Sequence, residues 1–411
     1  MIPPREMHMT HMKLWHPLIF IIIAVWVPLP PCLAGTTKSA FLLADHRGKI
    51  ISSKNATIKM IPASTLKIFT GLVALESLGA EYRPQTWFFY DRKSGDLSLK
   101  GFGNPLFISE EIKLLTQIIL KKESPVHVRD IILDHSFFSS KIHIPGTQNS
   151  LNPYDATTGA LCANFNTISF TWDTKGRNFI SAEPQTPLID LFQKQIRQTG
   201  LTKGRILLPP GQRDIYAGLL IKAFLREEGV KANGIVKTGK FIAPIEKKSV
   251  IYSGFTMSDM VTKLLYYSNN YIANQLMLIM GAHQFGPPAN LEKGARYLNQ
   301  FATESLKLDD FRIVEASGLS RRNHLSPSQM LVVLKAFTPY YKLLRRKGND
   351  FYKTGTLHDV RTRAGYLLGN DKKLYPYVIM LNHTRRGYND ILKALKRKVR
   401  AASTGGNSES D

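Results

Sequence analysis

Cysteine is nearly absent: the 411 residues hold two, Cys32 and Cys162. That excludes a disulfide-stapled scaffold and a cysteine-built structural zinc site. Long apolar runs are lacking as well. The longest, Leu18–Val27, has ten residues, about half of the ~20 that a membrane-spanning helix needs. His11, Lys13 and His16 precede it, Pro28–Pro31 break it, and Cys32-Leu33-Ala34 supply small residues before Gly35. This reads as a secretory signal peptide over residues 1–34, with an uncleaved anchor as the other reading. Pro31 before Cys32 does not suit a lipoprotein box, and Met12-Lys13 is a more natural start than Met1. Once Cys32 is removed, Cys162 has no partner and is expected to be a small core residue. Export without disulfides fits a periplasmic location.

Acidic residues are also in short supply, 31 against 55 Lys and Arg, for a net charge of +24. Such a field favours polyanions: nucleic acid, an acidic membrane surface or an anionic wall polymer. There is no helix-turn-helix signature, zinc-finger spacing or RNP-like motif, so nucleic acid is not the expected partner. Internal repeats and low-complexity tracts are absent too. The length leaves room for two or three domains.

The pattern that is present begins with strands at Ser39–Leu43 and Ile50-Ile51, joined by turn residues. A buried helix follows Pro62-Ala63-Ser64-Thr65-Leu66-Lys67, with apolar residues at helical spacing up to Leu78. Strands dominate from Tyr82 to about Ile242, with helices expected only at Glu110–Lys121 and Ile215–Glu228. Helices return at Met257–Tyr267, Asn270–Met280, Leu291–Phe301 and Gln329–Phe337, the last capped by Ser326-Pro327-Ser328. Strands at Lys353–Leu357, Arg363–Leu368 and Leu374–Leu381, the helix Asn389–Val399 and a polar tail from Ala401 complete the chain. Strands from both ends can share one sheet, with the middle as an excursion. The domain division expected is 35–88 with 246–400 as one discontinuous domain, and 89–245 as a β-rich insert of one or two subdomains.

Three short stretches carry chemistry. Ser64 lies in the first turn of its helix with Lys67 three residues on, so both side chains share a face. A serine hydroxyl needs an adjacent base to act as a nucleophile, and a lysine serves once burial or a nearby cation lowers its pKa. Free N–H groups at the helix start stabilise a developing oxyanion. Tyr267-Ser268-Asn269-Asn270 falls at a break between helices, where Ser268 and Asn270 can both face a cleft. Tyr352-Lys353-Thr354-Gly355-Thr356 lies on an expected strand: Lys353 offers a cation, Thr354 a hydroxyl, and Gly355 close backbone approach. A second K-T-G, Lys237-Thr238-Gly239, comes before Ser268 and reads as a strand end.

In the order S-x-x-K, S-x-N, K-T-G, these stretches resemble the signature of penicillin-interacting serine enzymes. Ser64 and Ser268 lie 204 positions apart, far more than in class A β-lactamases. The chain resembles the low-molecular-mass class C penicillin-binding proteins, which are D-alanyl-D-alanine carboxypeptidases and endopeptidases. Glu315-Ala316-Ser317-Gly318-Leu319-Ser320-Arg321-Arg322-Asn323, Leu99–Pro105 and Ala160–Asn166 are similar to further segments of that family. Asn104 and Glu315 stand where it usually has Asp, and a stretch before Lys353 is shorter than usual.

The resemblance implies an α+β multi-domain fold: a β-lactamase/transpeptidase-like antiparallel sheet flanked by helices, with a β-rich inserted domain. It implies an acyl-enzyme on Ser64 with Lys67 as base. Ser268 would relay a proton to the leaving amine, and Asn270 would hold the acyl-side amide. The backbone N–H groups of Ser64 and Thr356 would form the oxyanion hole. Lys353, Thr354, Gly355 and Thr356 would bind substrate, the side chains of Lys353, Thr354 and Thr356 taking its carboxylate. Peptidoglycan stem peptides are the implied substrate and β-lactams the implied inhibitors, with no metal or organic cofactor. A serine β-lactamase and a weakly catalytic peptidoglycan-binding or penicillin-sensing protein are the alternatives. Arg321, Arg322, Arg361 and Arg363 read either as cleft-lining or as solvated surface, and Asp155 as a contact for a substrate amine. The basic helix from Asn389 reads as packed on the sheet, or as a peripheral contact with anionic lipid. The oligomeric state is not legible.

Overall fold

The computed structural model describes residues 38–147, 156–384 and 386–404. The expected signal peptide, Asp155 and the end of the polar tail lie outside the described residues. In chain order come β1 (Lys38–Ala44), β2 (Ile50–Lys54), a 3-10 turn (Ala63–Thr65), α1 (Leu66–Leu78), β3 (Gln85–Asp91), β4 (Asp96–Gly101), α2 (Ser109–Glu123), β5 (His127–Val128), β6 (Ile131–Asp134), β7 (Thr167–Asp173) and β8 (Asn178–Ser181). Next are α3 (Gln193–Gln198), β9 (Lys203–Leu207), α4 (Gln212–Glu227), β10 (Lys231–Ala232), β11 (Val236–Thr238), β12 (Ser249–Tyr252), α5 (Met257–Tyr267), α6 (Asn270–Phe285), α7 (Leu291–Glu304) and α8 (Pro327–Phe337). The chain ends with β13 (Arg345–Lys347), β14 (Asp350–Leu357), β15 (Val360–Leu368), β16 (Leu374–Asn382) and α9 (Asn389–Thr404).

The largest sheet joins both ends of the chain in the order β13-β14-β15-β16-β1-β2. Every neighbouring pair in it is antiparallel, with Leu42 opposite Val378 and Lys353 opposite Ala364. The two-residue alternation of strands gives this sheet two apolar faces. Ala40, Ala364, Val378 and Met380 turn to a helical layer of α1, α5, α6 and α8. Leu43, Tyr377, Ile379 and Leu381 turn the other way, onto Leu395 and Val399 of α9. The amphipathic α9 is thus packed on the sheet, with Lys393, Arg397, Lys398 and Arg400 in solvent. Helix α1 is the centre of the helical layer: Leu66 through Leu75 are all buried, as expected of a helix apolar on every side.

A second apolar core, including Phe88, Leu133, Phe170, Phe192, Tyr216 and Phe224, lies in the middle of the sequence. Its five-stranded sheet has the order β11-β6-β4-β3-β12, and a three-stranded sheet the order β8-β7-β9. Cys162 is buried in the first core, with the helical layer, and is a free thiol. Burial pushes it up to about 12, so it is inert at neutral pH. Among the described residues, no helix is long and apolar enough to cross a membrane.

Candidate active site

Ser64 does not sit in the first turn of the α-helix but in the tight 3-10 turn that precedes it. Ala63, just before it, adopts φ +46°, a conformation that costs an L-residue about 1–3 kcal/mol and persists only where surroundings enforce it. They do so here through one carbonyl: Pro62 O accepts from Thr65 Oγ1 at 2.6 Å and from Thr362 Oγ1 of β15 at 2.8 Å. The turn is thereby tied to the sheet beside β14.

Lys67 is fully buried, and three oxygens surround its Nζ: Ser64 Oγ at 2.9 Å, Asn270 Oδ1 at 2.7 Å and the Ser317 carbonyl at 2.7 Å. Burial first, and then the nearby Lys353, lower its pKa well below the ordinary lysine value, with Glu315 opposing them. A neutral amine has two hydrogens and one lone pair. Asn270 Oδ1 and the Ser317 carbonyl can only accept, so they take the two hydrogens. Protonated, Nζ donates to Ser64 Oγ as well; once the amine has lost a proton, its lone pair faces the Ser64 hydroxyl, which can then donate to it.

Ser268 caps α5 with φ +55°, and its Oγ lies 2.7 Å from Lys353 Nζ. Lys353 also donates to its neighbour's carbonyl, Thr354 O, at 2.8 Å. Burial and the adjacent Arg345 bring its pKa down to about 7. Gly355 follows on β14 because nothing larger fits: a Cβ there would lie 2.7 Å from Ser64 N and 2.3 Å from Thr362 Oγ1. Thr354 is half-buried and Thr356 exposed on the same strand. The eight residues of the three motifs thus lie on three elements that meet: the Ser64 turn with α1, the α5–α6 junction, and β14.

Several supports of the site had no role assigned from the sequence. Glu315, fully buried, accepts from Ser317 N (2.7 Å), Ser317 Oγ (2.6 Å), Ser320 N (3.1 Å) and Asn323 Nδ2 (2.6 Å). It thereby shapes the loop whose Ser317 carbonyl meets Lys67. Asn274, one turn after Asn270, accepts from Ala316 N at 3.0 Å, and Thr70 donates to Ala316 O at 2.6 Å. The i,i+4 spacing of Asn270 and Asn274 was the available signal. Gln275 donates to Gly103 O and Gly159 O, which joins to α6 the family-like segment Leu99–Pro105 and the residue just before the segment Ala160–Asn166. Asn104 turns its carbonyl inward onto Leu106 N at 2.9 Å.

The arginines divide. Arg363 belongs to neither expected group: it is buried, 2.7 Å from Asp350, and donates to Tyr377. Arg361 spends its guanidinium on the Leu357 and Val360 carbonyls of the adjoining turn. Arg321 pairs with Asp359, and Arg322 is exposed. The second K-T-G ends β11, parallel to β6, with Lys237 bound to Asp130 at 2.7 Å. Among the described residues, no group of three or more His, Cys, Asp or Glu is placed to hold a metal.

Residues 31–207 and 202–344 match the family described as D-Ala-D-Ala carboxypeptidase 3 (S13). The chain belongs to that family. Its fold and family are those of the serine-type D-Ala-D-Ala carboxypeptidases of the low-molecular-mass penicillin-binding class. It is 24% identical over 342 residues to D-alanyl-D-alanine carboxypeptidase DacB of Haemophilus influenzae, covering 71% of this chain and 68% of the relative. It is 22% identical over 351 residues to an Actinomadura D-alanyl-D-alanine carboxypeptidase, covering 74% of this chain and 65% of the relative. The chain therefore spans about two thirds of the length of these relatives. Among solved structures, penicillin binding protein 4 (dacB) of Haemophilus influenzae superposes with TM-score 0.69 at 20% identity, covering 85% of this chain and 91% of that one. The predatory endopeptidase Bd0816 of Bdellovibrio bacteriovorus gives 0.53 at 15% identity, covering 90% and 94%. These likenesses are to the fold.

Proposed function

We propose that this S13 enzyme is a D-alanyl-D-alanine carboxypeptidase or endopeptidase that works through an acyl-enzyme on Ser64. The observation that carries the reading is the environment of Lys67, a fully buried amine 2.9 Å from Ser64 Oγ, with two obligate acceptors beside it and a lowered pKa. Ser64 attacks the carbonyl of the penultimate D-Ala of a stem peptide and passes its proton to Lys67. The N–H groups of Ser64 and Thr356 hold the oxyanion. Ser268, hydrogen-bonded to Lys353, relays a proton to the departing amine as the C–N bond breaks. Asn270 orients the acyl-side amide, and Lys353, Thr354 and Thr356 hold the terminal carboxylate. Water then cleaves the ester and frees Ser64. A β-lactam enters by the same route, its ring amide replacing the peptide bond.

Residues 35–88 with 246–400 serve as the catalytic domain and 89–245 as an insert that builds one flank of the substrate path. The second apolar core draws its buried residues almost wholly from that insert, while Leu106, Phe138, Ile144, Ala156, Ala160 and Cys162 of the same stretch pack into the first core and tie the two together. The enzyme acts in the periplasm on peptidoglycan.

The test is the intact mass of the protein after benzylpenicillin, beside Ser64→Ala. A lasting single adduct on the wild type alone is the expected result. Rapid penicillin hydrolysis with little adduct would make the protein a β-lactamase instead. Neither adduct nor hydrolysis would sink the acyl-enzyme reading.

A further inference from the structure

Three cations in a row, Arg345, Arg346 and Lys347, form the strand β13 at the edge of the main sheet. All three are exposed, and among the described residues none forms an ion pair with a carboxylate. Strand β13 pairs only with the first half of β14, Arg345 lying opposite Tyr352. Lys353 to Leu357, the part of β14 beside Ser64, continue past the end of that pairing. Arg345 therefore stands where the cover stops and the cleft begins.

Its guanidinium does not swing free. It stacks over the ring of Tyr266, 4.8 Å from the centroid, and Tyr266 lies two residues before Ser268 on α5. The stack holds the charge at the end of α5 where Ser268 Oγ and Lys353 Nζ meet at 2.7 Å. Arg345 is close enough for its charge to act on the Lys353 ammonium. Two neighbouring cations with no counter-ion between them repel one another, and the repulsion is relieved when an anion enters. A planar guanidinium held by a ring offers a fixed pair of donors suited to a carboxylate.

We propose that Arg345 is a carboxylate-binding residue of the cleft, forming with Lys353 a paired-cation subsite for the terminal carboxylate of the peptide or β-lactam. The proposal rests on the acyl-enzyme reading above and adds to it a residue outside the three motifs. The family match ends at residue 344, so Arg345 is not part of it. The subsite selects ligands by charge on the leaving-group side: an anionic C-terminus is drawn in, and an amidated or esterified one is not.

The experiment compares second-order acylation by benzylpenicillin and by its methyl ester in wild type, Arg345→Gln and Arg345→Lys. A hydrogen bond to a charged partner corresponds to a loss of about ten- to a hundredfold when removed. Arg345→Gln is expected to lose about that much with the acid and about twofold or less with the ester. The preference for the acid then collapses, while Arg345→Lys keeps part of it. A loss that falls equally on acid and ester would mean that Arg345 only supports the strand, and would overturn the proposal, as would no loss with either. An unfolded Arg345→Gln leaves the same ratio to be read on Arg345→Lys, where an unchanged ratio is the overturning result. If wild type forms no adduct with either ligand, the acyl-enzyme reading fails and this subsite with it.

Discussion

Gly355→Ala places one methyl group against the nucleophile's own backbone. The added Cβ would lie 2.7 Å from Ser64 N, 2.3 Å from Thr362 Oγ1 and 2.9 Å from Ala63 Cβ. None of the three is the far end of a flexible side chain. Thr362 Oγ1 is already committed to Pro62 O at 2.8 Å, and the other two belong to the strained turn itself. Relief comes only if that turn and β14 move apart by about 0.7 Å or more to reach ordinary van der Waals separation. Overpacking of this kind costs about 1–3 kcal/mol of stability. A misplacement near 1 Å costs about a hundredfold in rate, because Ser64 and its N–H are both displaced from the reacting carbonyl. The assay is stopped-flow acylation by a β-lactam beside thermal unfolding. We expect a folded protein with a lower melting temperature and acylation slowed about a hundredfold. Acylation within about threefold of wild type would refute the claim that β14 and the Ser64 turn form one rigid contact.

Lys67→Met should abolish acylation while leaving the protein folded, since among the described residues no other amine hydrogen-bonds to Ser64 Oγ; adduct formation by mass spectrometry checks it. The pH–rate profile for an anionic β-lactam should have two limbs. Below its lowered pKa Lys67 is protonated and cannot act as a base; above about 7 Lys353 loses its charge, so the rate should fall on both sides, and a flat profile across this range contradicts the assignment. Stability should show the same lysine with the opposite slope. An unfolded Lys353 stays protonated up to about 10.4, so between about 7 and that value the unfolded chain binds more protons and Lys353's contribution rises with pH. Comparing wild type with Lys353→Met in urea at several pH values isolates that slope. Arg363→Met should cost about 3–5 kcal/mol by leaving the buried Asp350 carboxylate without its main partner. Denaturant unfolding measures it, and a loss below about 1 kcal/mol would show that Lys396, 3.5 Å from Asp350, replaces it.

Much of the site was legible because its chemistry is carried by short motifs in a fixed order, and because apolar residues at helical spacing mark α5 to α8. The junction at Ser268-Asn269-Asn270 fell where two periodic helices met, and α5 and α6 do meet there. What was not legible depends on partners far away in sequence. Ser64 was expected inside an α-helix; the left-handed Ala63 that moves it into a 3-10 turn is enforced by Thr362, 299 positions later. Arg363 read as a cleft or surface cation because nothing in its neighbourhood announces that the strand pairing buries it against Asp350 and Tyr377. The edge strand β13 is three residues long and wholly polar, so it lacks the alternation by which strands are recognised. The short α3 was missed for the same reason of length.

The main sheet closes by pairing β1 with β16, and its consequence is temporal. A chain made from its N-terminus carries Ser64 and Lys67 long before Lys353 exists. At about 5–20 residues per second, the interval is roughly 15–60 s. Until then β1 has no partner on its β16 side, and Lys67 lacks both its full burial and the neighbouring Lys353 that lower its pKa. The nucleophile therefore stays unarmed until the C-terminal hairpins have been made and paired with β1.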